Sequence, residues 1–280
     1  MERRVLGRTG VRLSVIGFGG IVVKDVSPAD AAEYVARAID RGINYFDVAP
    51  GYGNAEERLG PAIEPYRDQV FLAGKTGQRL AKDVDAELNR SLERLKTDHL
   101  DLYQFHGVSS LKEADQILAP GGALEAFVAA RERGLIQHIG FSAHSEDAAL
   151  RLLDAFPFDS VLLPVNLFCW RDGGFGPRVC ERAIEKGTGI LAIKALAKRP
   201  WREGETKKWP KCWYAPIDSA PEAKVALSFT LSQAVTAAVS PGHAELLWLA
   251  CDAVDALDGR PSALPQEANL CGEPLFRVPK

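Results

Sequence analysis

Two patterns of hydrophobic and polar positions alternate along most of the chain. Short runs of Val, Ile, Leu and Phe recur, and the segments between them carry apolar residues at three- and four-residue spacing. A continuous apolar run is typical of a strand buried on both faces, whereas the longer spacing predicts an amphipathic helix. The runs predict eight strands, at residues 15–18, 43–46, 70–73, 100–105, 136–141, 161–163, 190–193 and 234–239.

Helical segments follow these strands. The clearest predicted helices lie at 29–41, 81–95 and 123–133. Ser27 and Ser145 stand where two helices begin, and serine is a favoured N-cap residue. Eight strand-then-helix units in 280 residues predict an α/β fold, a closed (β/α)8 TIM barrel, with an open doubly wound sheet as the alternative. We expect the barrel at about 15–257, within a single domain covering 1–280.

Three segments do not follow the strand and helix alternation. Residues 4–13 place a glycine-bounded turn between two short apolar runs and predict an N-terminal β-hairpin. The connection at 195–220 is long and basic, and loops of such length are usually functional. Residues 258–280 are rich in Pro and Gly and are expected to form a tail over the barrel.

Composition narrows the possible partners. The net charge of −3 provides no broad positive surface for a phosphate backbone, so the sequence predicts no nucleic-acid partner. No run approaches the roughly 18 apolar residues that a membrane span needs, and no secretory signal is visible at the N-terminus. We therefore expect a cytoplasmic protein with a small-molecule partner and no membrane association. The sequence does not indicate the oligomeric state.

The cysteines predict neither a disulfide framework nor a metal site. There are five, an odd number, without a C-x-x-C pair. The five histidines show no close ligand spacing either. The sequence therefore predicts reduced thiols and no bound metal.

Four titratable side chains follow three consecutive predicted strands. Asp47 and Tyr52 come after the second strand, Lys75 after the third and His106 after the fourth. Because the catalytic groups of a parallel barrel lie at the carboxyl ends of its strands, we expect these four to converge.

Together these residue types suit the reduction of a carbonyl group. The charge of Lys75 is expected to lower the pKa of Tyr52 and make it a better acid, and Asp47 would keep Lys75 protonated. His106 would donate a hydrogen bond to the substrate oxygen. No side chain can supply a hydride, so a nicotinamide cofactor is implied.

The sequence resembles the aldo-keto reductase family. The matching segments are 6–10, 16–20, 42–53, 75–76, 98–106 and 134–142. The resemblance implies reduction of an aldehyde or ketone with NAD(P)H. It also implies that Asp47, Tyr52, Lys75 and His106 form the catalytic set, with Tyr52 as general acid.

The resemblance also implies a cofactor site. Ser142, after the fifth strand, and Asn166, after the sixth, are expected to hold the nicotinamide carboxamide; Ala143 departs from the family pattern. We expect His144 to be a solvated loop residue, with a polar role in the site as the alternative. The remaining cofactor-binding candidates, which follow the seventh and eighth strands, are Lys194, Ser240 and Gly242.

The cofactor is expected to be NADP(H), with NAD(H) as the alternative. Relatives that use NADP carry basic residues after the eighth strand, but residues 239–247 contain no Lys or Arg. The backbone at the following helix start can still receive a phosphate. The long loop at 195–220 would either supply the missing positive charge or form a solvated charged surface. Its cations are Lys198, Arg199, Arg202, Lys207, Lys208 and Lys211.

Two other functions remain open from the sequence. One is a nucleotide-binding regulatory or sensor subunit with little turnover, and the other is an unrelated barrel enzyme such as an isomerase or lyase of sugar phosphates. The tryptophans of the long loop, Trp201, Trp209 and Trp213, would either line a substrate pocket or anchor the loop.

Overall fold

The structure is a computed structural model that describes residues 1–257 and 270–278. Eight parallel strands form a closed barrel in which each strand pairs with the next, and the last pairs with both the first and the seventh. This confirms the predicted (β/α)8 barrel. The barrel strands are β3 (Ile16–Gly19), β4 (Tyr45–Asp47), β5 (Phe71–Thr76), β6 (Leu100–Val108), β7 (Ile136–Ala143), β8 (Ser160–Pro164), β9 (Gly189–Ile193) and β12 (Ala237–Val239).

Helices connect the strands. The two predicted N-caps are confirmed, because Ser27 accepts a hydrogen bond from the backbone N–H of Asp30 and Ser145 accepts one from that of Ala148. The helices are α1 (Pro28–Asp40), α2 (Ala55–Ile63), α3 (Ala81–Leu95), α4 (Leu111–Leu118), α5 (Ala123–Glu132), α6 (Glu146–Ala155), α7 (Leu167–Arg171), α8 (Pro177–Glu185), α9 (Ala220–Ser232) and α10 (Ala244–Asp255).

Several strands end later than the sequence predicted. The predicted strands at 70–73, 100–105 and 136–141 continue to Thr76, Val108 and Ala143. Polar residues near a strand's carboxyl end interrupt the apolar run without interrupting the backbone ladder. Asp47, Lys75 and His106 therefore lie within the last residues of strands, not beyond them.

The predicted N-terminal hairpin is present. Strands β1 (Arg3–Val5) and β2 (Arg12–Ser14) pair antiparallel. Leu6 and Leu13 are fully buried and pack with apolar side chains of the barrel interior. The hairpin therefore covers the amino-terminal end of the barrel, opposite the strand ends that carry the polar residues.

The long connection after β9 is partly ordered as a β-ribbon. Strands β10 (Ala197–Pro200) and β11 (Tyr214–Pro216) pair antiparallel and bring the two ends of the connection together. The loop at 201–213 connects the two ribbon strands, and its last three residues lie near the carboxyl ends of the barrel strands. The sequence predicted only a loop here, because these polar and Pro-containing strands carry no alternating apolar pattern.

The described part of the C-terminal tail lies against this ribbon and α7. The backbone N–H of Glu273 donates to the carbonyl of Lys198 at 2.8 Å, and that of Val278 donates to the carbonyl of Gly173 at 3.0 Å. Much of the predicted tail, residues 258–269 and 279–280, lies outside the described residues.

Among the described residues, no helix is long and apolar enough to cross a bilayer. Within the same ranges, no group of three or more His, Cys, Asp or Glu side chains could hold a metal ion. All five cysteines carry free thiols.

Candidate active site

A cavity of about 220 Å³ opens among the carboxyl ends of the barrel strands. The four residues predicted to carry the chemistry all line it, together with residues from the ribbon and from the loop after β12. The remaining lining residues are Gly19, Gly20, Ile21, Ser142, His144, Leu162, Ile193, Lys194, Lys211, Cys212, Trp213, Tyr214, Val239, Ser240, Pro241 and Gly242.

Asp47 and Lys75, from the adjacent strands β4 and β5, form a buried ion pair. Asp47 also accepts hydrogen bonds from the hydroxyl of Tyr45 at 3.1 Å and from Nε2 of Gln104 at 3.0 Å. Burial opposes the charge on Lys75, but the oxygens of Asp47 and Tyr52 outweigh it and raise the pKa of the ammonium. Lys75 therefore stays protonated at neutral pH and places a positive charge in the wall of the cavity.

Tyr52 lies in the turn between β4 and α2. Its hydroxyl is within hydrogen-bonding reach of Lys75, whose Nζ lies 5.4 Å from the centre of the phenol ring. Burial raises the pKa of Tyr52, and Lys75 offsets that effect only in part. The expectation that Lys75 lowers the pKa below its ordinary value is wrong, because the cavity excludes water from the hydroxyl. Tyr52 therefore holds its proton at neutral pH.

His106 faces Tyr52 across the cavity, with ring centres 5.6 Å apart and nearly perpendicular planes. Burial, and then the positive charge of Lys75, lower the pKa of His106 to about 3. The backbone carbonyl of His106 accepts a hydrogen bond from Arg79 at 2.7 Å, which fixes this part of β6. The imidazole is therefore neutral and carries one N–H donor.

These four residues make an electrophilic site. A phenol proton held by Tyr52 and a neutral imidazole N–H from His106 can both be offered to one oxygen atom in the cavity. Lys75 stabilises the phenolate that forms when Tyr52 gives up its proton. The arrangement suits a reaction in which negative charge develops on a carbonyl oxygen.

Ser142 and Asn166, the predicted carboxamide ligands, are both buried. Ser142 lines the cavity, and its Oγ accepts a hydrogen bond from the backbone N–H of Gly107 at 2.7 Å. Asn166 instead caps α7: its Oδ1 accepts from the backbone N–H of Cys169 and its Nδ2 donates to the carbonyl of Lys194. It is not among the residues that line the cavity.

His144 is a cavity residue, so the expectation of a solvated loop position is wrong. Its Nε2 lies 3.2 Å from Nζ of Lys194, and its ring stacks on Phe276 with centres 4.9 Å apart. Burial, and then Lys194, lower the pKa of His144 to about 3. The sequence did not reveal this contact because Lys194 follows β9, far along the chain, and Phe276 comes from the C-terminal tail.

Ser240 and Gly242 lie after β12, where the predicted phosphate end of the cofactor would be. The hydroxyl of Ser240 accepts a hydrogen bond from the backbone N–H of Gly19 at 3.0 Å. Helix α10 begins after His243 and has no side-chain cap. Lys211 lies beside Gly242, and its Nζ donates to the carbonyl of Val22 at 3.1 Å.

The other loop cations differ from Lys211, because most of them pair with carboxylates. The ion pairs are Lys198 with Glu222, Arg199 with Glu205, Arg202 with Glu273, and Lys208 with Asp218. Lys211 is the loop cation that lines the cavity. Of the six loop cations, Lys211 is therefore the one whose position suits the predicted role of supplying charge to the cofactor.

The loop tryptophans divide between the two predicted roles. Trp201 donates to the carbonyl of Cys212 at 2.8 Å and Trp209 donates to Asp218 at 3.0 Å, so both anchor the loop. Trp213 lines the cavity and remains 56% exposed.

The comparison with family models identifies the chain over most of its length. The model described as "Aldo/keto reductase family" matches residues 15–212. The match includes the residues from Asp47 to His106 and also Lys194. Ser240, Gly242 and Phe276 lie beyond it.

Two curated proteins of Bacillus subtilis have sequences similar to this chain. The chain is 28% identical over 215 residues to the uncharacterized oxidoreductase YqkF of Bacillus subtilis, covering 71% of this chain and 68% of that protein. It is 32% identical over 188 residues to the aldo-keto reductase YhdN of the same organism, covering 60% and 55%. The chain thus spans about half to two thirds of the length of these relatives.

Solved structures show the same fold. A Pseudomonas aeruginosa protein assigned to the aldo-keto reductases is 26% identical, with a TM-score of 0.72, covering 90% of this chain and 95% of that one. The aldo-keto reductase AKR11C1 of Bacillus halodurans, in its holo form, has a TM-score of 0.73 and covers 95% and 99%. At 22% identity this second likeness concerns the fold alone.

Proposed function

The chain belongs to the aldo/keto reductase family of oxidoreductases, and we propose that it reduces an aldehyde or ketone to an alcohol, with Tyr52 as the general acid. The observation that carries this proposal is the buried contact of Tyr52 with Lys75, whose charge is held by Asp47. Burial keeps the proton on the phenol before reaction, and the contact with Lys75 stabilises the phenolate afterwards.

His106 supports Tyr52 in this proposal. A neutral imidazole donates a hydrogen bond without transferring a proton, so His106 orients the carbonyl oxygen and polarises it. Because its pKa is about 3, His106 does not change its protonation state between about pH 5 and pH 8. Activity in that range therefore does not depend on its titration.

We propose NADP(H) as the cofactor, with NAD(H) as the alternative. When bound, the nicotinamide supplies the hydride. The residues present fit such a group: Lys211 and the uncapped start of α10 suit phosphate oxygens, and Ser142 offers a hydroxyl in the cavity. Ser240 and Gly242, which line the cavity, are the other residues that we assign to this site. Of the two remaining candidates, Asn166 lies outside the cavity lining and holds the carbonyl of Lys194, and Lys194 contacts His144.

The first test combines binding with turnover. The protein is titrated with NADPH and with NADH while its tryptophan fluorescence is followed, and then assayed with simple aldehydes. Binding followed by oxidation of the reduced cofactor supports the proposal. Binding with no turnover of any aldehyde would instead favour a regulatory nucleotide-binding role, and absence of binding contradicts both.

A further inference from the structure

Lys194, at the end of β9, is a buried lysine without an acidic partner. Its side chain lines the cavity, and the residue is only 9% exposed. Within 1–257 and 270–278, no carboxylate forms an ion pair with it. A buried ammonium group is unfavourable unless an anion or strong acceptors surround it, so an anionic group in the cavity would bind favourably beside Lys194.

The neighbours of the ammonium form a cage that is open on the side of the cavity. Nζ lies 3.2 Å from Nε2 of His144, 5.5 Å from the ring centre of Trp213 and 5.3 Å from that of Phe276. Aromatic faces attract a cation but accept no conventional hydrogen bond. His144 is neutral and can accept one of the three N–H groups, which leaves donors for a ligand.

The backbone of Lys194 is held in a conformation that is uncommon for a residue with a side chain. Its φ angle is +62°. Two hydrogen bonds fix its carbonyl oxygen, one from Nδ2 of Asn166 at 3.1 Å and one from the backbone N–H of Ala197 at 2.9 Å. Strain of this kind is retained mainly where it directs a functional group, and here it turns the side chain towards His144.

The ammonium lies on the catalytic side of the cavity. Its positive charge is among those that lower the pKa of His106. Lys211, by contrast, lies beside Gly242, in the loop after β12, and its Nζ donates to the carbonyl of Val22. The two lysines therefore lie in different parts of the cavity, and the end suited to phosphates has a cation of its own.

We propose that Lys194 and His144 form an anion-binding subsite that holds a carboxylate group of the carbonyl substrate. The inference rests on the proposed function and specifies its substrate class, namely aldehydes or ketones that carry a carboxylate a short distance from the carbonyl. Trp213 adds a flat apolar wall to the cavity, so an aromatic or otherwise planar skeleton between the two groups suits it.

This subsite makes substrate preference depend on pH. Burial and the charge of Lys75 lower the pKa of Lys194 to about 7, while Cys169 acts in the opposite direction. Of the other titratable neighbours, His144 and His106 stay neutral at that pH. Preference for an anionic substrate should therefore weaken as pH rises above about 7.

The test compares 4-carboxybenzaldehyde with 4-formylbenzamide, which has nearly the same shape but no charge. We expect the wild type to favour the carboxylate in kcat/KM by roughly tenfold or more, which corresponds to at least about 1.4 kcal/mol. In Lys194→Met this preference disappears, while kcat/KM for the amide stays within about threefold. Lys207→Met, which removes an exposed loop lysine, serves as the matched control and keeps the preference.

Other outcomes overturn the inference. If the wild type reduces both aldehydes equally, or if Lys194→Met lowers both rates alike, no carboxylate subsite exists, although the reductase proposal survives. If Lys194→Met leaves the preference intact but weakens binding of NADPH and of ADP-ribose, the ammonium serves the cofactor's phosphates instead.

A binding measurement separates failure of the subsite from failure of the reductase proposal. Benzoate and benzamide are titrated into the wild type and Lys194→Met, with tryptophan fluorescence as the signal. Selective binding of benzoate that is lost in the variant supports the subsite even if neither aldehyde is reduced. Equal binding of the two compounds by the wild type contradicts it.

Discussion

The ammonium of Lys75 forms an ion pair with the carboxylate of Asp47, and their side chains are only 1% and 3% exposed. Two neutral donors, from Tyr45 and Gln104, complete the surroundings of Asp47. The pair joins β4 to β5 directly beneath Tyr52. A charged pair so deeply buried depends on both partners, since either one alone would be an uncompensated charge.

Asp47→Asn should therefore destabilise the protein as well as inactivate it. The variant leaves the ammonium of Lys75 buried without its counter-ion, and we expect the free energy of unfolding to fall by about 3 to 5 kcal/mol. Urea denaturation measures the change. The double variant Asp47→Asn with Lys75→Met should recover much of the stability but none of the activity; a double variant as unstable as the single one would contradict this account.

Tyr52→Phe should abolish most turnover without disturbing the cofactor. Removing a general acid typically lowers the rate by roughly 100-fold or more, and the phenyl ring keeps the packing of the tyrosine. We expect kcat to fall by that factor while the Kd for NADPH changes less than about twofold. Unchanged kcat in a folded variant would show that another group donates the proton.

Lys194→Met should stabilise the protein in a manner that depends on pH. The pKa of Lys194 is lowered to about 7 in the folded state, from 10.5 in the unfolded chain. Between those values the unfolded chain binds a proton that the folded protein releases, so stability rises with pH. The cost of burying the ammonium is complete below about pH 7, and a difference of roughly 3.5 pKa units corresponds to about 5 kcal/mol.

The measurement is the free energy of unfolding of the variant and the wild type at about pH 6 and about pH 10. We expect Lys194→Met to be the more stable protein at the lower pH, by a few kcal/mol, and the advantage to shrink at the higher pH. An advantage of equal size at both would mean that packing, not charge burial, explains the effect.

Lys211→Met should weaken the binding of NADPH by roughly tenfold, or about 1.4 kcal/mol. The backbone N–H of Lys211 donates to His243 at the uncapped start of α10, where we place the cofactor's phosphates, and the ammonium donates to the carbonyl of Val22. Binding of NADPH by the wild type should also weaken as salt concentration rises. Isothermal titration gives both affinities, with Lys207→Met as the control; equal losses in the two lysine variants would remove Lys211 from the site.

The barrel, and the convergence of Asp47, Tyr52, Lys75 and His106 at one cavity, were predictable because both follow from local patterns. Buried strands give short apolar runs, and a parallel barrel places residues such as Asp47, Lys75 and His106 at one end wherever those strands finish. The ends themselves were misplaced by up to a few residues, since polar side chains at Lys75 and His106 interrupt the apolar pattern while the strand continues.

The remainder of the site depends on contacts that no local pattern reveals. His144 meets Lys194 and Phe276, which lie far along the chain, and the sequence alone favoured a solvated histidine. The pKa of Tyr52 was predicted in the wrong direction because the charge of Lys75 is visible in the sequence while burial is not. Pairing of the loop cations with carboxylates likewise depends on the folded path of residues 198–214.

Transfer of deuterium from labelled cofactor tests the central claim most directly. NADPH carrying deuterium at the transferable position of the nicotinamide is incubated with the protein and an aldehyde, and the product is analysed by mass spectrometry. We expect an alcohol with one deuterium on the former carbonyl carbon, formed at a rate that falls by roughly 100-fold or more in Tyr52→Phe. Formation of no labelled alcohol by a protein that binds NADPH would contradict it.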